Sequence, residues 1–283
     1  MKLRSKMLYL YIGINIIIFL AVGIYLMTSY KASKFEGIKD EYMSQLKHLE
    51  FSLSSFFEST ENELRTLESI DLVRNEEDFE FTSYLNADPE TFVLNPGPEE
   101  AEIVKILNAF RTENEYVNSV YMGRANGAFV RSHPRGKNTK YDPRERPWYQ
   151  LALEDPKRIM ITDPYKSVTT EDLNIGFVKA LVNEPGNVYG VVGMDVTLSN
   201  LTEYFRNVDV SRSGWITLWD SKGTMLVTNN PEHMMKNYLE VSDNESVYNG
   251  IMNSKSGYTK PHETMNSTYG FYYTEFIVSW GLV

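Results

Sequence analysis

The hydrophobic pattern divides the chain into an apolar N-terminal run, a long amphipathic segment and a series of strand-like runs. Residues 8–27 carry no charge, and about twenty apolar residues of helix cross a membrane. Lys2, Arg4 and Lys6 precede this run, and positive flanks stay cytoplasmic. The sequence therefore predicts a cytoplasmic N-terminus and a transmembrane helix within residues 1–30. A cleaved signal peptide is the alternative, although its apolar core is usually shorter.

Between residues 31 and 70, apolar side chains recur every three or four positions, with Glu and Lys between them. This spacing predicts an amphipathic helix with one buried stripe. Forty residues of helix span about 60 Å, so we expect a long stalk helix over residues 31–80 that packs against the later chain. The same stripe fits a coiled-coil seam between two copies, and we expect a homodimer.

Two later segments, 119–132 and 215–229, read as β-hairpins. Each has two apolar runs joined by a polar turn with a glycine, Gly127 or Gly223, and glycine supplies the positive φ that such turns need. Strand-like runs also occur at 173–183 and later at 187–198.

Two shorter segments have helical character. Residues 99–112 carry apolar side chains at helical spacing, and residues 199–208 read as a helix capped by Ser199 or Asn200. The fold class is therefore α+β, with a transmembrane helix, a long stalk helix and two antiparallel-sheet modules in series. We place the modules at 81–208 and 209–283.

The last residue, Val283, lies inside an apolar, strand-like run. We therefore expect the second module to be truncated and the chain to belong to a longer protein.

Composition narrows the function. The net charge of −10 argues against a nucleic-acid partner, which needs a basic surface. The chain has no cysteine, and so it has neither disulfides nor a thiolate metal site. The four histidines are scattered without metal-ligand spacing, and neither a Gly-x-Ser-x-Gly elbow nor a phosphate loop is present. We expect no enzyme activity, no metal and no cofactor in these residues.

The most unusual stretch is YDPRERPWY at residues 141–149, which holds two arginines, two acids, two prolines and three aromatic residues. TDPY follows at 162–165, and GVVGMDVTL follows at 190–198. In this order and spacing, the three motifs resemble the double Cache (dCache) sensor domains of bacterial and archaeal receptors, specifically the subfamily that binds free amino acids. The resemblance covers about residues 30–283.

The resemblance implies two PAS-like modules outside the membrane, with a free amino acid bound in the membrane-distal one. In that subfamily a Tyr lies five residues before an Arg-x-Trp, a Pro-Tyr-x-Asp follows, and a later Gly-rich strand carries an Asp. The matching positions here are Tyr141, Arg146, Trp148, Tyr165 and Asp195. The subfamily's acid two places after Pro-Tyr is Ser167 in this chain. Tyr121, on the first hairpin strand, could face the same pocket by geometry.

The chemistry of these side chains suits an α-amino acid. Arg146 offers a bidentate fork to a carboxylate, and the Trp148 indole and Tyr141 phenol are donors. Asp195 can accept from an ammonium group, and Tyr165 can add a phenol oxygen or a cation–π face.

Other interpretations of these residues stay open. Arg146 could pair with a neighbouring acid such as Asp142 or Glu145, and Trp148 could be core packing. For the molecule we therefore carry three hypotheses: a membrane receptor's amino-acid sensor, the same fold sensing an amine or a small carboxylate, and a membrane-anchored module with no small ligand. Neither the particular amino acid nor the signalling output, whether chemotaxis, histidine kinase or cyclase, follows from the sequence.

Overall fold

One uninterrupted helix, α1 (Leu3–Ser69), covers the predicted transmembrane helix and most of the predicted stalk helix. It ends at Ser69, short of residue 80, the predicted end of the stalk helix, and a separate short helix follows at Asp71. The large apolar side chains of α1 between residues 3 and 30 are exposed, and by length and composition α1 is a candidate membrane span. Further along, Leu53, Leu64 and Leu67 are buried, as the amphipathic stripe predicts. The structure, a computed structural model, describes residues 3–77, 80–135, 139–167, 172–206, 215–254, 256–259, 269–273 and 277–282.

The chain forms two compact units. One unit combines Met1–Glu50 with Asp209–Val283, and the other is Phe51–Val208. The second unit carries the sequence motifs described above, so its sheet positions the candidate site.

In the Phe51–Val208 unit, two short helices precede the sheet, α2 (Asp71–Arg74) and α3 (Pro98–Glu113). A third, α4 (Pro147–Glu154), lies between the second and third strands, and α5 (Leu198–Arg206) follows the last strand. The strands are β1 (Val117–Arg124), β2 (Phe129–Arg131), β3 (Ile159–Ile161), β4 (Tyr165–Lys166), β5 (Leu173–Val182) and β6 (Val188–Thr197).

These strands form an antiparallel sheet in the order β2-β1-β6-β5-β3, with β4 also paired to β5. The hairpin predicted at 119–132 consists of β1 and β2. Gly127 has a φ of +90° in its turn, which explains why glycine occupies this position. β6 pairs with β1 on one side and with β5 on the other. It therefore joins the β1–β2 hairpin to the strands β5 and β3.

The two faces of this sheet bury different side chains. Phe177 and Met194 are paired across β5 and β6 and are fully buried, and the Phe177 ring meets that of Phe57 from α1 edge to face at 5.4 Å. Successive strand residues point to opposite faces. The residue after Met194, Asp195, is therefore on the face away from α1.

The chain passes from β6 into α5 without a loop. The prediction that Ser199 or Asn200 caps this helix is wrong, because the helix begins at Leu198. The Thr197 hydroxyl instead accepts a hydrogen bond from the Asn200 backbone N–H at 3.1 Å, the bond that a capping residue makes. The Asn200 side chain donates to the Tyr116 carbonyl at 3.0 Å.

The Met1–Glu50 and Asp209–Val283 unit contains a second antiparallel sheet. Its described strands are β7 (Trp215–Trp219), β8 (Met225–Val227), β9 (Gly257–Thr259), β10 (Tyr269–Tyr273) and β11 (Ile277–Leu282), in the order β8-β7-β11-β10-β9. Helices α6 (Tyr238–Val241) and α7 (Glu245–Met252) lie between β8 and β9. The hairpin predicted at 215–229 is formed by β7 and β8, with Gly223 at a φ of +80°. Two antiparallel sheets, each opened by a hairpin, confirm the predicted α+β class.

Candidate ligand-binding site

The stretch at 141–149 folds as a 3-10 turn, Pro143–Glu145, followed directly by α4. The Asp142 carboxylate accepts from the Arg144 backbone N–H at 2.9 Å and forms an ion pair with the Arg144 guanidinium at 2.7 Å. Pro147 occupies the first turn of α4, where its missing N–H has no cost. Arg144, and not Arg146, is therefore the partner of Asp142.

A small cavity lies on the face of the sheet away from α1. Its volume is about 50 Å³, enough for a group of a few heavy atoms because a single water needs roughly 10–15 Å³. All six residues singled out from the sequence line this inner cavity: Tyr121, Tyr141, Arg146, Trp148, Tyr165 and Asp195. The lining also includes Ser119, Phe129, Arg131, Arg135, Ser167 and Asn174.

A wider groove, about 590 Å³, adjoins the inner cavity. Both share Arg135, Tyr141 and Arg146 in their linings. These three side chains therefore form the boundary between a small polar cavity and a larger space outside it.

Asp195 is the acidic centre of the inner cavity. Its Oδ1 accepts hydrogen bonds from the hydroxyls of Tyr121 and Tyr165, both at 2.6 Å, and its Oδ2 accepts from Asn174 Nδ2 at 3.0 Å. Burial raises the pKa of Asp195 to about 6, although these hydrogen bonds and the nearby Arg131 charge oppose the rise. The carboxylate is therefore a buried acid that changes charge close to neutral pH.

Two glycines make room for this arrangement. A Cβ at Gly193 would lie 2.7 Å from the Tyr121 ring, and one at Gly176 would lie 3.1 Å from Asp195 Oδ1. Both positions belong to the central strands β5 and β6. The bare backbone thus allows the Tyr121 phenol to lie flat on the sheet and reach Asp195.

Aromatic rings from the 141–149 stretch pack against aromatic rings of the sheet and form a wall of the cavity. Trp148 packs against Tyr121 with ring centroids 4.7 Å apart, and Phe129 packs against Tyr141 at the same separation. Trp148 Nε1 donates to the Tyr141 hydroxyl at 3.3 Å. The Tyr141 hydroxyl hydrogen remains available to another acceptor, and burial raises the pKa of this phenol to about 12, which keeps it a donor at physiological pH.

Three arginines line the cavity. The Arg146 guanidinium lies 5.8 Å from the centre of the Tyr141 ring, and Arg135 lies 4.5 Å from the same centre. Arg131 donates from Nε to the Ser119 hydroxyl at 2.8 Å. The sequence pointed to Arg146 alone, so Arg131 and Arg135 are additions from the structure.

The sequence contained one signal for Arg131 and none for Arg135. Arg131 follows Phe129 by two places on a hairpin strand, and alternation places both on one face. Arg135 lies beyond the end of β2, where no periodic pattern applies.

Asn174 was also missed. It is buried at the start of β5, opposite Tyr165 in the register of β4 and β5. Its Nδ2 is bound to Asp195, and within the described residues its Oδ1 has no hydrogen-bond partner. A buried acceptor therefore lies beside the buried acid.

The lining combines donors and cations, from the phenols and arginines, with acceptors on Asp195 and Asn174. Among the described residues, no group of three or more His, Asp or Glu side chains is placed to hold a metal ion. The cavity has the chemistry to bind a small ligand that carries both a negative and a positive group.

The chain belongs to the dCache_1 family, a Cache domain, whose model matches residues 32–282. The methyl-accepting chemotaxis protein McpC of Bacillus subtilis is 31% identical over 149 residues, which are 52% of this chain and 22% of McpC. The chain thus spans less than a quarter of that relative's length.

Solved structures share the fold. The ligand-binding domain of the Campylobacter jejuni chemoreceptor Tlp3 in complex with L-valine matches with a TM-score of 0.62 and 19% identity, over 88% of this chain and 94% of that one. The ligand-binding domain of Mlp24 with asparagine matches with a TM-score of 0.58 and 17% identity, over 86% and 90% of the two chains.

Proposed function

We propose that this chain is the sensor region of a transmembrane signalling receptor and that it binds a free amino acid outside the cell. The observation that carries the proposal is the presence of Arg146 and Asp195 in the lining of one small cavity. An α-amino acid at neutral pH bears a carboxylate and an ammonium on one carbon. A site for it needs a cation and an anion a few ångströms apart, in surroundings dry enough to strengthen both interactions.

In the proposed complex, Arg146 binds the α-carboxylate as a charge-assisted pair, and the free hydroxyl hydrogen of Tyr141 adds a neutral bond. Asp195 Oδ2 accepts from the ammonium, together with Asn174 Oδ1. Trp148 positions Tyr141 through its indole N–H. The aromatic wall excludes water from the head group of the ligand.

The family and the chemotaxis relatives support a receptor context, and the exposed apolar segment of α1 supports a membrane anchor. We place the site in a membrane-distal module, residues 81–208, and assign residues 209–283 to a membrane-proximal one. The N-terminus lies in the cytoplasm, and residues 31–80 form a stalk through which two receptor copies pair.

Calorimetry on the 283-residue chain in detergent tests the proposal, with a panel of free amino acids, their des-amino analogues and simple amines. At least one amino acid binds, and Arg146→Ala weakens it by about 2–5 kcal/mol because the carboxylate loses its partner in a buried site. Arg144→Ala is the matched control, since Arg144 belongs to the same loop but pairs with Asp142 at the surface. We expect it to change the affinity by less than about 1 kcal/mol.

A second candidate function is the sensing of a small carboxylate that lacks an amine. Three arginines against one acid in the cavity lining favour it. The panel separates the two functions, because a des-amino analogue that binds as tightly as its amino acid shows that the ammonium contributes nothing. If the folded protein binds none of the amino acids or carboxylates, both candidate functions are contradicted.

A further inference from the structure

The inner cavity holds more positive charge than a neutral amino acid requires. Its lining contains Arg131, Arg135 and Arg146 but only one acid, Asp195. Among the described residues, none of the three arginines forms an ion pair with a carboxylate. A ligand with one carboxylate and one ammonium is satisfied by Arg146 and Asp195. That leaves Arg135 without an anion, and Arg131 with only the charge of Asp195, which it shares with the ligand's ammonium.

Arg135 is the most informative of these cations. Its side chain is only 8% exposed, and its guanidinium lies between two tyrosine rings, 4.7 Å from the centre of Tyr84 and 4.5 Å from that of Tyr141. Nη1 donates to the Thr139 carbonyl at 2.9 Å. Within the described residues, Nη2 has no hydrogen-bond partner. A buried N–H group of a cation without an acceptor costs free energy, and Arg135 lines both the inner cavity and the outer groove.

Arg131 adds a second cation. Its Nε bond to Ser119 fixes the guanidinium, and this is its only hydrogen bond among the described residues. Burial lowers the pKa of Arg131, while Asp195 raises it, so the guanidinium lies within electrostatic reach of the acid. The two rings around Arg135 and the serine bonded to Arg131 hold both forks in place before a ligand arrives, which reduces the ordering cost of binding.

We propose, building on the amino-acid function above, that the ligand carries a second carboxylate on its side chain. Arg135 Nη2 donates to that carboxylate, and Arg131 adds the second positive charge. The site therefore prefers a dicarboxylic amino acid to its neutral amide, which has nearly the same shape. An amide keeps one carbonyl acceptor for the guanidinium but replaces the second acceptor with an NH₂ donor and carries no charge, so the contact loses its charge assistance.

The test compares aspartate with asparagine and glutamate with glutamine by calorimetry on the whole chain in detergent. The quantity of interest is the ratio of the amide Kd to the acid Kd, because it does not depend on the fraction of protein that is folded. We expect a ratio of about 10 to 100 for one of the two pairs in the wild type, as hydrogen bonds between charged groups imply. Whether aspartate or glutamate binds more tightly depends on the distance between Arg146, which binds the α-carboxylate, and Arg135, which binds the side-chain carboxylate.

Variants then test whether Arg135 causes the preference for the acid over its amide. Arg135→Gln lowers the ratio toward one while the amide still binds, and that retained binding shows that the variant is folded. Arg135→Lys keeps the charge without the fork and gives an intermediate ratio. Lys140→Gln is the matched control, because it removes one positive charge from a residue that lines only the outer groove and leaves the ratio unchanged.

The outcomes distinguish this inference from the function on which it rests. A wild type that binds the amides as tightly as the acids, or that binds only larger neutral amino acids, overturns the inference and leaves the amino-acid function standing. An acid preference that survives both Arg135→Gln and Arg131→Gln overturns the assignment to these arginines. Binding of no amino acid at all, in a protein that binds a plain dicarboxylate such as succinate, overturns the amino-acid function itself.

Discussion

Asp195→Asn gives a sharp prediction because stability and ligand binding should change in opposite directions. Asn has nearly the shape of a protonated Asp, and its Oδ1 can still accept from the Tyr121 and Tyr165 hydroxyls. Asn174 rotates its amide so that its oxygen faces the new NH₂ group. The variant therefore keeps the local hydrogen bonds and removes one buried charge.

The magnitude follows from the pKa of this carboxyl. Burial raises it from 3.8 to about 6, and each pKa unit corresponds to about 1.36 kcal/mol. The ionised carboxylate therefore costs the folded state about 3 kcal/mol at pH 7. Asp195→Asn removes that cost, so we expect the variant to be more stable than the wild type by about this amount.

The sign of the pH dependence is also fixed. Because the folded-state pKa lies above the unfolded one, the penalty is fully present above pH 6 and disappears as the pH falls toward 3.8. At pH 5 the advantage of the variant should shrink to about half. Burial lowers the pKa of His133, which follows β2, to about 4, and Tyr121 and Tyr165 have pKa values raised well above 10. Among these described groups, only Asp195 changes charge between pH 5 and 7.

The assay is urea unfolding of both proteins at pH 7 and pH 5. Hydrogen exchange of the backbone amides in strand β6 reports on the unfolding of this sheet. The difference between the two proteins cancels the other titrating groups, which they share. Calorimetry with an amino acid and its des-amino analogue should show a large loss in Asp195→Asn for the amino acid only. A variant that is less stable at both pH values, and that loses both ligands equally, would refute the reasoning and make Asp195 a structural residue.

The remaining predictions concern the sheet, the amine half of the site and the anchor. Gly193→Ala should abolish amino-acid binding because its Cβ displaces the Tyr121 ring, whereas Gly97→Ala, which meets only Glu99 at 3.9 Å, should bind normally; calorimetry compares them. Ser167→Asp should strengthen amino-acid binding more at pH 8 than at pH 6, since a second acid raises the pKa of Asp195 further; equal gains at both pH values contradict this. A chain beginning at Lys31 should be soluble without detergent, and its continued partition into membranes would argue against the anchor.

The features that the sequence predicted well depend on local patterns. Gly127 and Gly223 marked the two hairpin turns because positive φ has few other solutions. The apolar stripe of α1 and the charge-free run before it depend on spacing within one helix. Residues 141–149 form one turn and one helix start, so Tyr141 and Trp148 came together as neighbours in the chain.

The features that it did not predict depend on strand order. Asn174 meets Asp195 because β5 and β6 are adjacent, and Arg131 lines the same cavity because β2 is joined to β6 through β1. No spacing along the chain encodes that order. Arg135 is further removed, because it lies beyond the end of β2 and is held by the rings of Tyr84 and Tyr141. Its place in the cavity lining follows from packing alone.

The same sheet supports the amine half of the proposed amino-acid site, although Ser167 stands where the subfamily has an acid. An ammonium has three N–H donors. Tyr121 and Tyr165 occupy one oxygen of Asp195, which leaves Oδ2, shared with Asn174 Nδ2, to accept from the ligand. Asn174 Oδ1 and the Tyr165 phenol oxygen supply the other two acceptors, both beside the same carboxylate. One charged and two neutral acceptors therefore match the three N–H donors of the ammonium, so the amine half of the proposed site needs no second acid.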